Sequence, residues 1–379
     1  GMNRMAQRSR NVSQGALDRV ALWYFSPDNL RKANDCLVEF MHRMPIANLF
    51  KEDESIMRSA SDGQKYTMTM DSIHATYSAK YFGKHKGITI YSFIAENYPL
   101  FYTTTFSAGD REAWYVFDGL LHHQQIISLP QQQVHSTDTH GVSLVNFALG
   151  FLLGIDFQPR IEGFHKCKLH GIADMPILQQ IDYTIRADKT INTALIQQQW
   201  DNIQRFVVSL KLRYALPSTL LKRLNSYAHQ HPMYQALVEL GKVVRTIFLL
   251  NYMDDGQLRR QTQQQTTQME SIQKLAKVLD MGDEGGIQFC TKEELMIMAL
   301  SKQLIINNIS CFNYILLTKR LLDATHVERK ELIDTIPFSA AFAWEHINLH
   351  GEYDFGEDVL KDAMTIDLEK LLNFEISRK

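Results

Sequence analysis

Every segment with the texture of a β-strand lies between residues 56 and 161, and the rest of the chain follows helical spacing or carries turn residues. A few strands that close together make one small sheet. Such a sheet cannot leave both faces in water, and helices are the only other elements available to cover it. The expected fold class is therefore α/β, with flanking helices. The strand signals are a run near residues 56–70, then Gly87 to Ile94 and Leu100 to Phe106. The latter two are rich in β-branched and aromatic residues and are joined through Asn97-Tyr98-Pro99 as a hairpin. Gln133 to Thr137 is a fourth strand, ending at Asp138, and Ile155 to Ile161 a fifth.

The helical signals frame these strands. Ala16, Val20, Leu22, Leu30, Ala33, Leu37, Phe40 and Met41 recur near a 3.6-residue period, with a break at Ser26-Pro27-Asp28 and an end at Met44-Pro45. Asp110 is placed to cap a helix running to about His123, and the apolar run from Val142 to Leu153 predicts a buried helix that Gly154 ends. From Ile177 to Tyr252 the spacing is helical again. The order matches a ribonuclease H-like mixed sheet with flanking helices, a large all-helical insertion and a helical C-terminal section. The expected boundaries are an N-terminal helical segment at 1–50, the first part of the core at 51–161, the insertion at 162–262, and a closing section at 263–379. Gly1 ahead of Met2 reads as a scar of tag removal and is left out of this reading.

Charge is balanced overall, with 40 Lys plus Arg against 42 Asp plus Glu, which excludes a chain held to nucleic acid by bulk charge alone. It is unevenly placed, however. Residues 157–245 hold 12 basic and 6 acidic residues, and residues 323–379 hold 6 and 13. Each block on its own is also what a solvated helix face looks like. The densest apolar stretch, Ala148 to Ile155, is too short to span a bilayer, so no membrane is expected. Cys36, Cys167, Cys290 and Cys311 form no C-x-x-C pair, which suits free thiols in a reducing cytoplasm.

Three acids stand out by position: Asp62 in Ser61-Asp62-Gly63-Gln64, Asp138 at a strand end, and Glu270 in a helix of uncharged polar residues. Two strand-borne carboxylates and one from a helix suit Mg²⁺, which favours carboxylate oxygens and keeps waters and phosphate oxygens as further ligands. Two ions held this way serve phosphoryl transfer. The alternatives stay open on spacing alone: Asp62-Gly63 is a good turn pair, Asp138 is a good helix cap, and Glu270 fits a solvated helix face. His165, Cys167 and His170 lack a fourth zinc ligand, and His122-His123, at a helix end where a cation suits the dipole, reads as structural. No G-x-S-x-G elbow, Walker phosphate loop or H-E-x-x-H is present.

Read in order, the motifs resemble the Tn-three family of replicative (class II, TnpA-type) DDE transposases. Ser61-Asp62-Gly63-Gln64 is similar to the family's S-D-G-Q, and Phe117-Asp118-Gly119-Leu120-Leu121-His122 to its D-G-L-L-H helix. Thr137-Asp138-Thr139-His140-Gly141 resembles T-D-T-x-G, and Leu152 to Ile161 resembles L-L-G-F-x-F-x-P-R-I. Trp200 to Ile203, Glu239 to Thr246 and Trp344 to Gly351 resemble three later signatures. The resemblance covers roughly residues 44–356. It departs at the third acid, where L-N-K-G-E is Thr266-Thr267-Gln268-Met269-Glu270, and at W-N-T, which is Phe312-Asn313-Tyr314.

The resemblance implies that Asp62, Asp138 and Glu270 are DDE carboxylates holding Mg²⁺ or Mn²⁺, two ions in all, on a ribonuclease H-like fold. It implies cleavage at transposon 3′ ends and strand transfer into target DNA, with DNA as partner and a homodimer in the full-length protein. Arg160 is the expected DNA contact near the site. Family members are far longer, with N-terminal domains that recognise transposon ends, so the expectation is a catalytic portion. The rival readings are a remnant that binds DNA or a partner without cutting, and a purely structural helical protein.

Overall fold

The computed structural model describes residues 2–128, 132–172, 187, 189–226, 231–279, 286–349, 351–356 and 367–376. The helical reading of 177–186 lies outside the described residues.

Five strands form the main sheet: β1 (Ile56–Met68), β2 (Lys86–Ala95), β3 (Leu100–Ser107), β4 (Gln132–Thr137) and β5 (Ile155–Phe157). Their order across the sheet is β3-β2-β1-β4-β5, with β3, β2 and β1 antiparallel and β1, β4 and β5 parallel. Two-residue segments extend it: Thr76–Tyr77 on β2 and Gly286–Ile287 on β1. The fifth strand is shorter than expected because Pro159 interrupts it. Gln158 and Arg160 still donate their N–H groups to His135 O and Thr137 O, so the extended backbone runs on beside β4.

The sheet is covered on both faces, which is why β2 reads as nearly continuous apolar sequence. Tyr91, Phe93 and Ala95 pack on one side against α3 (Val116–Ile126) and α4 (Leu144–Leu153), with α5 (Thr193–Lys211) and α7 (Pro232–Asp254) behind them. Ala60 and Ile94 pack on the other side against Met269, Ile272 and Leu275 of α8 (Gly256–Val278) and Ile306 and Ile309 of α9 (Lys292–Asp323). At the chain start, α1 (Gln14–Tyr24) and α2 (Pro27–Arg43) are split at the expected break. Ser13 and Ser26 accept from Ala16 N and Asn29 N as their caps. The α9 helix is long and apolar enough to cross a membrane, and two thirds of its most apolar stretch is buried inside the protein.

Two expectations change. Asp110 caps nothing. A 3₁₀ turn, Glu112–Trp114, precedes α3, and the Asp110 carboxylate accepts from the Tyr115 hydroxyl (2.7 Å) and Lys222. His123 is structural, as expected, but as a neutral buried ring rather than as a cation at a helix end. It stacks on Phe101 with centroids 3.8 Å apart, and burial pushes its pKa well below the ordinary value.

Several motif residues turn out to hold the scaffold. Asp118 accepts from Ser218 N (2.9 Å) and Ser218 Oγ (2.5 Å), pinning α6 (Pro217–Asn225) to α3. Asn313 donates to Ala341 O and Ala343 O, both at 2.8 Å, and so anchors the loop that leads to Trp344. Gly241 lets α7 cross α4 at backbone contact, since a Cβ there would lie 1.8 Å from Leu144 O. Gly241→Ala should therefore cost at least about 3 kcal/mol, at the upper end of overpacking effects, measured by urea denaturation. Asn307 satisfies both backbone groups of Leu100 (2.9 Å each) and also donates to Asn34. Asn307→Ala orphans the buried Leu100 N–H, while Leu100 O keeps Gln303 Nε2 (2.7 Å), and should cost about 1–3 kcal/mol by the same measurement.

Candidate metal centre

Asp62 and Asp138 are brought together by strand register. Ser61 lies opposite Thr137 in the parallel β1–β4 pair, so the next residue on each strand, Asp62 and Asp138, is level with the other. Asp138 does act as a cap, as one sequence alternative held. Its Oδ1 accepts from His140 N (2.9 Å) and Gly141 N (3.2 Å), leaving Oδ2 with no hydrogen-bond partner among the described residues. The Asp62 carboxylate accepts from its own neighbour Gly63 N (2.7 Å) and from Gln273 Nε2 on α8 (2.9 Å).

A third carboxylate joins them from a place the sequence did not indicate. Glu112, in the 3₁₀ turn after β3, offers an oxygen within 4.8 Å of oxygens of both Asp62 and Asp138. It is 4% exposed. It fits because residue 63 is glycine: a Cβ there would lie 2.7 Å from Glu112 Cδ. Glu112 Oε1 pairs with Lys65 (2.6 Å), and its buried Oε2 has no partner. The available signal was one acid standing directly ahead of the apolar run Ala113 to Phe117.

Three carboxylates against one ammonium leave an excess of negative charge. Burial, then the charges of Asp138 and Glu112, push the Asp62 carboxyl up to about 7. Beneath the acids the packing is neutral. Buried His135 bridges Ser59 Oγ (2.8 Å) and Ser61 Oγ (2.9 Å), Ser61 meets the Tyr91 hydroxyl (2.8 Å), and burial lowers the His135 pKa to about 3. Among the described residues, Lys65 is the cation that forms an ion pair with the cluster. An all-oxygen donor set, an orphaned buried carboxylate oxygen and mutual repulsion fit a hard divalent cation such as Mg²⁺ or Mn²⁺.

Glu270 is not part of this group. It sits on α8 with its side chain exposed, one turn before Gln273, and it is Gln273 that reaches Asp62. Arg160 is exposed, and its N–H donates to Thr137 O (2.8 Å), next to Asp138. His165, Cys167 and His170 form no metal-ligand group among the described residues: Cys167 Sγ takes Arg245 Nη2 (3.3 Å) and His170 N donates to Thr246.

The family model described as "Tn3 transposase DDE domain" matches residues 1–353. The transposase for transposon Tn1546 of Enterococcus faecium is 31% identical over 94% of this chain and 35% of its own length. The transposase for transposon Tn2501 of Escherichia coli is 29% identical over 97% of this chain and 37% of its own length. The transposase for transposon gamma-delta of Escherichia coli (strain K12) is 28% identical over 94% and 34%. The chain thus spans about a third of the length of the curated relatives it matches. With the match extending from the first helices through the metal centre to the loop after Trp344, the chain belongs to the Tn3 transposase DDE domain family.

Proposed function

We propose that this chain is the catalytic region of a DNA transposase, which hydrolyses the phosphodiester at transposon 3′ ends and then joins those ends to target DNA. The observation that carries the reading is the convergence of Asp62, Glu112 and Asp138 at the C-terminal end of β4. The strand order 3-2-1-4-5, with helices on both faces, supports a ribonuclease H-like core over 51–161. The α-helices of 162–262 then form an insertion ahead of the closing section at 263–379.

Asp62 and Asp138 would hold the cations from two strands, with Glu112 completing the set from the opposite face. Glu270 is the proposed third family carboxylate, entering from the edge of α8 where Gln273 already contacts Asp62. When bound, two divalent ions activate the attacking oxygen and stabilise the leaving one. In the first step a water oxygen bonds to phosphorus, the bond to the 3′ oxygen breaks, and that oxygen leaves as a hydroxyl. In the second step this hydroxyl attacks a target phosphodiester, whose own 3′ oxygen leaves. Both are in-line displacements, so one arrangement of Asp62, Asp138 and their partners serves both.

Exposed Lys166, Lys168, Arg205, Lys211 and Arg213 in the basic section would meet phosphates, which position DNA without reading its sequence, and Arg160 would do so beside the acids. The full-length protein would work as a homodimer on paired ends, in the cytoplasm on nucleoid DNA.

Asp62→Asn or Asp138→Asn in the full-length protein should lower Mg²⁺- or Mn²⁺-dependent end cleavage by at least about 10²-fold, with DNA binding in EDTA unchanged. Cleavage at the parent rate by either variant would sink the metal assignment. Glu270→Gln should behave the same way, and Gln273→Ala should cost far less. If the reverse ordering is measured, Glu270 is not the third carboxylate.

A pH prediction follows from the raised Asp62 pKa. The folded state holds this proton up to about pH 7 whereas an ordinary Asp loses it near 3.8. Metal-free stability should therefore fall as pH rises between those values and stay low above them. In EDTA at pH 8, Asp62→Asn should raise the melting temperature, and the difference should vanish near pH 4. Adding Mn²⁺ at pH 8 should stabilise the parent and leave the variant unmoved.

A further inference from the structure

We propose that the cavity between the first half of α8 and the start of β1 is a nucleotide subsite, in which Arg58 takes a phosphate of the DNA strand whose cleavage site lies at the acids. This rests on the DNA reading above and adds a site to it. The cavity has a volume of about 650 Å³, within the usual range for small-ligand sites, and Lys51, Arg58, Glu96, Gln265 and Gln268 are among its lining residues.

Arg58 is 8% exposed, yet its Nε and Nη1 are buried without any hydrogen-bond partner. Glu96 lies near enough for the two charges to act on each other, but they form no ion pair among the described residues. Glu96 Oε1 instead accepts from Glu52 N (2.9 Å). A buried guanidinium left this way costs stability, and what it lacks is a strong anionic acceptor, which a phosphate oxygen supplies. Two more of the lining residues carry an orphaned buried acceptor: Glu96 (Oε2) and Gln265 (Oε1). An inorganic anion would satisfy Arg58 and leave these two unmet. A nucleotide brings both kinds of group, phosphate oxygens for the guanidinium and base N–H groups for the carboxylate and the amide.

The position agrees with this. Side chains alternate along a strand, so Arg58, Ala60 and Asp62 share one face of β1. Ala60 packs with Met269 and Ile272 of α8, and Asp62 meets Gln273, so the helix runs along that face from the cavity to the metal centre. Four residues of strand separate Arg58 from Asp62 by about 13 Å. A few nucleotides cover that distance, at about 3.4 Å of rise each in a duplex and more in an unstacked strand.

The test uses this chain in EDTA with a short single-stranded oligodeoxythymidylate as probe, read by fluorescence anisotropy and thermal unfolding. Arg58→Met should lose about tenfold or more in affinity, and its salt dependence should drop by about one ion. Its own melting temperature should equal or exceed the parent's, and the probe should stabilise the parent only. Arg58→Lys, which keeps the charge but loses the fork, should fall between the two, and Gln265→Glu should weaken binding with Arg58 intact. If Arg58→Met melts lower and binds the probe like the parent, the guanidinium is structural and the proposal falls. If Arg58→Met does not fold, parent-like binding by both Arg58→Lys and Gln265→Glu overturns it. Inorganic phosphate that protects as well as the probe at equal phosphate concentration would overturn the nucleotide assignment. Loss of Mn²⁺ binding in Asp62→Asn, together with unchanged probe binding in Arg58→Met, would leave the catalytic reading standing and remove this one. No probe binding by the parent would remove the DNA reading itself.

Discussion

Like charges forced together in a half-buried place are the constraint on which this structure turns. The β1–β4 register sets Asp62 level with Asp138, and the absent side chain of Gly63 admits Glu112 from the opposite face. Nothing in the acids themselves favours this arrangement, so the surroundings must impose it. Two apolar layers clamp the sheet, one through α3 and α4 and the other through α8 and α9. Lys65 offsets part of the charge, and neutral His135, tied between two serines, adds no further charge beneath. The fold gives up stability to hold a cluster that a proton on Asp62 or a bound cation relaxes, a common mark of a site kept for chemistry.

The parts of this architecture legible in the sequence are those fixed by neighbours along the chain. Strand texture, the hairpin at Asn97-Tyr98-Pro99, the break before α2 and the helix end at Gly154 depend on a few consecutive residues, and the structure has them where the pattern puts them. Glu112 and Arg58 were not legible, because their significance depends on what lies across the sheet: a missing Cβ fifty positions away in one case, an absent partner in the other. Glu270 shows a different limit. A lone acid in an uncharged polar helix stands out in sequence, but the rotation of α8 about its axis follows from Met269, Ile272 and Leu275 seeking the sheet, and that rotation carries Gln273 to Asp62 and leaves Glu270 exposed.

The motif residues also divide by role in a way their sequence does not announce. Asp118, Gly241 and Asn313 are as prominent as Asp62 and Asp138 in the string of residues, yet each secures one element against another. Asp118 and Asn313 have no orphaned buried atom, whereas Glu112 and Arg58 do, as do a few framework residues such as Asn146 and Gln303.

The placement of α8 has a consequence for the order in which the protein is made. The hydrogen bond from Gln273 to Asp62 closes a sequence separation of 211 residues. At about 5–20 residues per second, translation needs roughly 10–40 s to travel that far. Once residue 138 is made, with 135 residues (273−138) still to come before Gln273, the nascent chain can pair β1 to β4 and gather three acids, but the helix that covers their strand has not left the ribosome. The covering helix therefore arrives late, through a contact between residues far apart in sequence, and until then one face of the acid-bearing strand stays open.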